Sequence, residues 1–170
     1  LQQYVKDLNH FYLKEAPLWQ VEDSWDGYQW LDADNSSQNV IAYQRIDEAG
    51  ESLIVICNFA SVGWESYRLG VPDASSYRVV FSSDDPRYGG SGALPTGAIR
   101  CEKAPQGGSQ QSIQLDLPPL SVIYLKGRSR RATGPKAQLP AAKAKGGSAS
   151  RKKAEPKAPA KPKAREAKPK

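Results

Sequence analysis

The side chains of this chain best suited to acid–base, nucleophilic or metal chemistry are 18 carboxylates, one histidine and two cysteines. Two carboxylate pairs stand close in sequence, Asp32 with Asp34 and Asp84 with Asp85. Paired carboxyl groups are what general acid–base and nucleophilic catalysis can use, one as acid and one as base or nucleophile. Neither pair sits in a setting that suits that work. Asp84 and Asp85 open a turn, where an Asp side chain hydrogen-bonds backbone a few residues on, so they read as loop caps. Asp32 and Asp34 lie two apart beside Ser36 and Ser37 and read as solvated turn acids, with a place in a binding cleft as the second reading. His10 lies in a helical pattern and reads as a surface or interdomain residue. One histidine with two separated cysteines supplies no metal-ligand set. No glycine-rich phosphate motif occurs, so no nucleotide or other cofactor is expected.

The aromatic residues carry a different chemistry. A sugar's apolar face packs on an indole ring, and the chain has four tryptophans, Trp19, Trp25, Trp30 and Trp64. Packing is the competing role for each. Trp25 and Trp64 stand near turn residues and are the candidates for sugar contacts, whereas Trp30, inside a strand pattern, is expected to pack against a neighbouring domain. The segment Asp84-Asp85-Pro86-Arg87-Tyr88-Gly89-Gly90-Ser91-Gly92 is the most distinctive loop. Three glycines in four residues demand positive φ or close backbone approach, Pro86 presets a turn, and Tyr88 is a lone aromatic among polar neighbours.

These residues must be held by short elements. Leu1, Tyr4, Val5, Leu8, Phe11 and Tyr12 recur at spacings of three and four, which predicts an amphipathic helix over residues 1–16 with those six on one face. Pro17 ends it, because a residue before proline is pushed out of the α region. Short β-type runs follow: Tyr28–Leu31, Val40–Ile46, Leu53–Phe59, Ser66–Leu69, Tyr77–Phe81, Ala98–Cys101, Ser112–Leu117 and Val122–Lys126. Asp-Gly, Ala-Gly, Pro-Asp and Gly-Gly dipeptides punctuate them. Leu53–Ile56 is continuously apolar and reads as central. Regularly spaced strands without βαβ alternation predict an antiparallel β-sandwich.

Charge divides the chain. Residues 1–126 hold nine basic and 16 acidic side chains, a net −7, and every Trp, Tyr and Phe. Residues 127–170 hold 15 basic and two acidic ones, a net +13, in a Lys/Ala/Pro-rich sequence with no aromatic residue. Such a composition cannot bury enough apolar area to offset its ordering entropy, and a disordered tail is expected. A run of cations of this kind is a solubilising extension or binds a polyanion by counterion release. Two cysteines make no disulfide framework, so Cys57 and Cys101 read as reduced thiols of a cytoplasmic protein. No apolar run of about 18 residues predicts a membrane span.

Several segments, in order, resemble the C-terminal part of bacterial 1,4-α-glucan branching enzymes of the α-amylase superfamily. Val5-Lys6-Asp7-Leu8-Asn9 with Tyr12 is similar to the last helix of that family's catalytic barrel. Gly27-Tyr28-Gln29-Trp30-Leu31-Asp32, Ile56-Cys57-Asn58-Phe59, Tyr67-Arg68-Leu69-Gly70-Val71-Pro72, the Asp84–Gly92 loop and Leu117-Pro118-Pro119-Leu120 resemble its later motifs. Ala60-Ser61 departs from a frequent Thr-Pro, and Leu31 from a frequent Ile. The resemblance ends near Lys126.

It implies three regions: residues 1–18 as the last barrel helix, 19–126 as an α-amylase-type all-β domain, and 127–170 as the tail. It implies a parent enzyme that cleaves α-1,4 glucan and transfers the chain to a 6-hydroxyl in glycogen synthesis. The retaining carboxylates belong to barrel strands absent from this sequence, so the chain alone is expected to be inert. Its implied partners are α-glucan through the parent enzyme and the barrel domain itself. A free-standing carbohydrate-binding sandwich, and a nucleic-acid-associated protein acting through the tail, are the alternatives.

Overall fold

The structure, a computed structural model, describes residues 1–128, and the expected disordered tail falls outside them from residue 129 on. Eight strands are present: β1 (Tyr28–Asn35), β2 (Val40–Ile46), β3 (Ser52–Asn58), β4 (Trp64–Val71), β5 (Ser76–Ser82), β6 (Ile99–Arg100), β7 (Gln111–Leu117) and β8 (Ser121–Arg128). Six form one antiparallel sheet in the order β1-β2-β3-β8-β5-β6, and β4 pairs with β7 in a second. This is the expected mainly-β, antiparallel sandwich.

Side chains alternate across a strand, and the alternation sorts the two faces of the large sheet. Val40 and Ala42, Ile54 and Ile56, and Ile123 and Leu125 point inward to Leu69, Val71, Ile113, Leu115 and Leu117 of the small sheet. Burying each of the Val, Leu and Ile side chains among them contributes roughly 1.5–3 kcal/mol. Leu53–Cys57 is buried on both faces, as its unbroken apolar run requires, because β3 lies between β2 and β8 and is covered on both sides.

The second cover is α1 (Gln2–Lys14) on the outer face of the large sheet. Phe11 stacks on Phe81 with ring centroids 4.9 Å apart and meets Tyr124 edge-on at 5.1 Å. Tyr4 and Leu8 complete the contact. The helical face differs from expectation. Leu1, Val5 and Tyr12, assigned to the packed stripe, are exposed, and the line of contact runs through Tyr4, Leu8, Phe11 and Glu15. The receiving surface, centred on Phe81, Leu53 and Tyr124, takes a narrower stripe than the sequence offers.

The helix also stops earlier than residue 16. Glu15 is already extended, with φ −97° and ψ 96°. Its buried carboxylate accepts a hydrogen bond from Lys126 Nζ at 2.8 Å, an ion pair that fastens the helix end to β8.

Several strands outrun their expected limits, β4 by two residues at each end, β5 by one residue at each end, and β3 and β7 by one residue at the start. β8 extends two residues past Lys126, because Ser75 pairs with the Arg128 carbonyl. β1 continues through Asp32-Ala33-Asp34, read from sequence as a turn, and the chain reverses instead at residues 36–39.

Candidate functional site

Two features of the outer sheet face stand out: the clamp that holds α1, and an open aromatic surface beside it.

The clamp is the glycine-rich loop. Asp84 accepts hydrogen bonds from the Ser91 amide at 2.9 Å, Ser91 Oγ at 2.6 Å and the Gly92 amide at 3.1 Å. Partial burial works against its charge, but these bonds prevail and hold its carboxyl below the usual carboxylate range. Asp85 caps the Pro86–Tyr88 turn, accepting from the Arg87 amide at 2.9 Å and from the Arg87 guanidinium at 3.1 and 2.9 Å, which lowers its pKa as well. Carboxyls depressed in the fold support it fully above their unfolded range, and that support is lost as pH falls through the depressed values.

The pair therefore shapes the loop, as its position in sequence suggested. The shaped loop presents Tyr88, whose ring meets Tyr4 edge-on at 5.1 Å and whose hydroxyl donates to Asp7 Oδ2 at 2.9 Å. Asp7, placed off the packed stripe by periodicity, is thus a docking residue. Hydrogen bonds from Gln3 and then Tyr88 lower its pKa.

The aromatic surface is a row in strand register. Trp30 lies opposite Tyr43, Tyr43 opposite Val55, Val55 opposite Tyr124, and Tyr124 opposite Phe81. α1 covers the Phe81–Tyr124 end, and the Trp30 end stays open. Tyr28, two residues before Trp30, stacks on Tyr43 at 5.1 Å and meets Trp30 edge-on at 5.1 Å. Trp25 reaches the same surface from a short 3₁₀ turn, Trp25–Gly27, capped by Ser24 accepting from the Asp26 amide at 3.1 Å. Its ring sits 6.2 Å from Tyr28 and is 83% exposed. A cavity of about 440 Å³ is lined here by the aromatic Trp25, Tyr28 and Trp30 together with the charged Glu22, Asp23 and Arg45. Arg45 is fixed there by donating to the carbonyls of Pro17 and Val21 at 3.3 and 3.0 Å.

The structure separates the two tryptophans singled out in sequence. Trp25 belongs to the open aromatic surface. Trp64 does not: it packs against the sandwich core, and its indole N–H donates to the Gln38 carbonyl at 3.0 Å. Trp30 is half exposed. Asp32 is not a solvated turn acid: it lies in β1 and accepts from Tyr67 Oη at 2.5 Å and Asn35 Nδ2 at 3.0 Å. Burial first, and then this bond, push the Tyr67 phenol well above its usual range. Asp34 and His10 are exposed. Neither cysteine is in a disulfide. Among the described residues no group of three His, Cys, Asp or Glu side chains could hold a metal ion, and no helix is long and apolar enough to cross a membrane.

Residues 30–128 match the family described as alpha amylase, C-terminal all-beta domain. The chain belongs to this family. Over 124 residues it is 40% identical to the 1,4-alpha-glucan branching enzymes GlgB of Francisella tularensis subsp. novicida and Francisella philomiragia subsp. philomiragia. Those matches cover 72% of this chain and 19% of each relative. The chain thus spans about a fifth of the length of the curated relatives it matches. Within it, the motifs that resembled branching enzymes have structural roles. The glycine-rich loop docks the helix, and Asn58 of the Asn-Phe pair ties two loops together through Val62 and Pro118.

Proposed function

We propose that this chain serves as the C-terminal all-β domain of a cytoplasmic 1,4-α-glucan branching enzyme, which cleaves α-1,4 glucan and forms α-1,6 branches in glycogen. The observation that carries the reading is 40% identity to such enzymes along 124 residues. Residues 1–18 act as the last helix of the catalytic barrel. Their outward Leu1, Val5, Tyr12 and Leu13 supply apolar surface for its neighbouring helices. The all-β domain holds that helix through the Tyr88–Asp7 and Lys126–Glu15 bonds. Unbridged cysteines fit a reducing compartment.

The catalytic pair resides outside this sequence, so the chain incubated with amylose yields no α-1,6 linkages releasable by a debranching enzyme. It also contributes a glucan contact. Trp25, exposed in a cavity lined by aromatic rings and by Glu22, Asp23 and Arg45, has the makeup of a sugar-stacking site. In a native gel containing glycogen the chain is retarded. Trp25→Ala weakens that retardation about tenfold in apparent affinity, the equivalent of about 1.4 kcal/mol. Equal mobility with and without glycogen for the unmodified chain contradicts the glucan contact. Branch formation by the chain alone contradicts its assignment as a non-catalytic domain.

A further inference from the structure

Three arginines far apart in sequence meet at the β8-β5-β6 edge of the large sheet. Ser76 of β5 lies opposite Arg128 on one side and Arg100 on the other, and Arg78 lies opposite Lys126. Side chains two apart share a face, so Arg78, Arg100, Arg128 and Lys126 all stand on the outer face, the one on which Lys126 reaches Glu15. Glu15 compensates Lys126. Arg78, Arg100 and Arg128 make no ion pair among the described residues and are exposed.

A cavity of about 530 Å³ opens here, lined by Ser76, Arg78, Thr96, Lys126 and Arg128, without a carboxylate. Arg128 is held in place at the strand end, its carbonyl accepting from the Ser75 amide and hydroxyl, both at 2.9 Å. Like charges in neighbouring cross-strand positions repel. Gathering them on residues 1–128, whose net charge is −6, makes a local cationic site for an anion from outside.

We propose that this edge binds the phosphate backbone of a nucleic acid. Guanidinium forks match phosphate oxygens two at a time. The patch lacks the buried apolar centre that a protein partner needs. A polymer is favoured over a single phosphate because the sequence after Arg128, from Arg130 and Arg131 onward, carries 14 basic and two acidic side chains, a net +12. No aromatic residue follows Arg128, so bases are not stacked and binding is independent of sequence. The site is separate from the aromatic cavity, and it stands or falls independently of the glucan reading.

The test uses the full 170-residue chain and a labelled mixed-sequence DNA duplex of about 20 base pairs, followed by anisotropy across a salt series. The expected result is measurable binding at about 50 mM salt. The triple substitution Arg78→Ser, Arg100→Ser, Arg128→Ser lowers the slope of log affinity against log salt by about 2.7 and weakens binding on the order of 100-fold at about 0.1 M salt. The triple Arg→Lys variant restores the slope. If the serine variant fails to fold, Arg78→Ser alone reports a drop of about 0.9. An unchanged slope means that the basic segment beyond residue 128 binds without this edge and overturns the proposal, as does a chain that does not bind at about 50 mM salt.

Discussion

Asn58→Leu lowers the folding stability of this domain by about 3 kcal/mol, read as a shift of the urea unfolding midpoint at unchanged slope. Asn58 is 2% exposed at the end of β3, in the Asn-Phe pair that closes the central strand. Its Nδ2 donates to the Val62 carbonyl at 3.0 Å and to the Pro118 carbonyl at 2.8 Å, and its Oδ1 accepts from the Ala60 amide at 2.9 Å. One amide therefore ties the β3–β4 connection to the β7–β8 turn. Leucine has similar volume and no polar atoms, so it strands two carbonyls and an amide near the core. Each such loss costs about 1–3 kcal/mol, reduced where a loop can turn its carbonyl to water.

Asn58→Asp separates hydrogen bonding from volume. A carboxylate there faces two carbonyl oxygens, which with burial raises its pKa in the fold. A raised folded-state pKa means that the side chain fits best below the unfolded carboxylate range and becomes destabilising as pH rises through the folded value. The deficit of the Asn58→Asp variant, relative to wild type at the same pH, is therefore larger at pH 7 than at about pH 4. A Leu variant within about 0.5 kcal/mol of wild type contradicts this account of the Asn.

Gly90→Ala costs a similar amount, about 3 kcal/mol, and loosens α1 as well. A Cβ at Gly90 falls 2.2 Å from Asp84 C, 2.3 Å from Asp84 O and 2.5 Å from Asp84 Cα, all backbone that no rotamer change relieves. The segment from Asp84 to Gly92 must open, which withdraws Tyr88 from Asp7 and from the Tyr4 ring. Gly89→Ala is the matched comparison. Gly89 has φ +90° with nothing within 4 Å of a new Cβ, so only left-handed strain of about 1–2 kcal/mol is lost there. Hydrogen exchange of residues 2–14 reports helix docking directly: Gly90→Ala speeds it more than Gly89→Ala. Equal effects of the two substitutions mean that close approach at Gly90 is not what the loop requires.

Much of this was legible in sequence, because the legible parts are local. Val40–Ile46 appears at the expected limits, since its alternation and its flanking turns are written in neighbouring residues. The unbroken apolar run of β3 announced burial on both faces. Positive φ and close approach in the glycine-rich loop followed from three glycines in four positions.

What sequence did not show depends on contacts between distant segments. Periodicity offered Val5 and Tyr12 to the sheet and withheld Asp7, because which part of an apolar stripe is used depends on the surface that receives it. The Glu15–Lys126 pair joins residues 111 positions apart with no local sign of either partner. Asp32 looked like a turn acid until Tyr67, from the other sheet, supplied its proton donor. Trp64 stood near turn residues, yet a strand and the Gln38 carbonyl hold it. Arg78, Arg100 and Arg128 are single residues in unremarkable stretches, and only strand register collects them. A charge difference between the opposing regions was visible; its focus at one sheet edge was not.

The central claim is that this all-β chain belongs to a branching enzyme, and the most direct measurement is the coding sequence upstream of Leu1 together with the activity of its product. The account predicts a continuous reading frame encoding a (β/α) barrel with a retaining Asp/Glu pair, whose full product forms α-1,6 linkages in amylose. A start codon immediately before Leu1 with no barrel upstream, or a full product that leaves amylose unbranched, contradicts it.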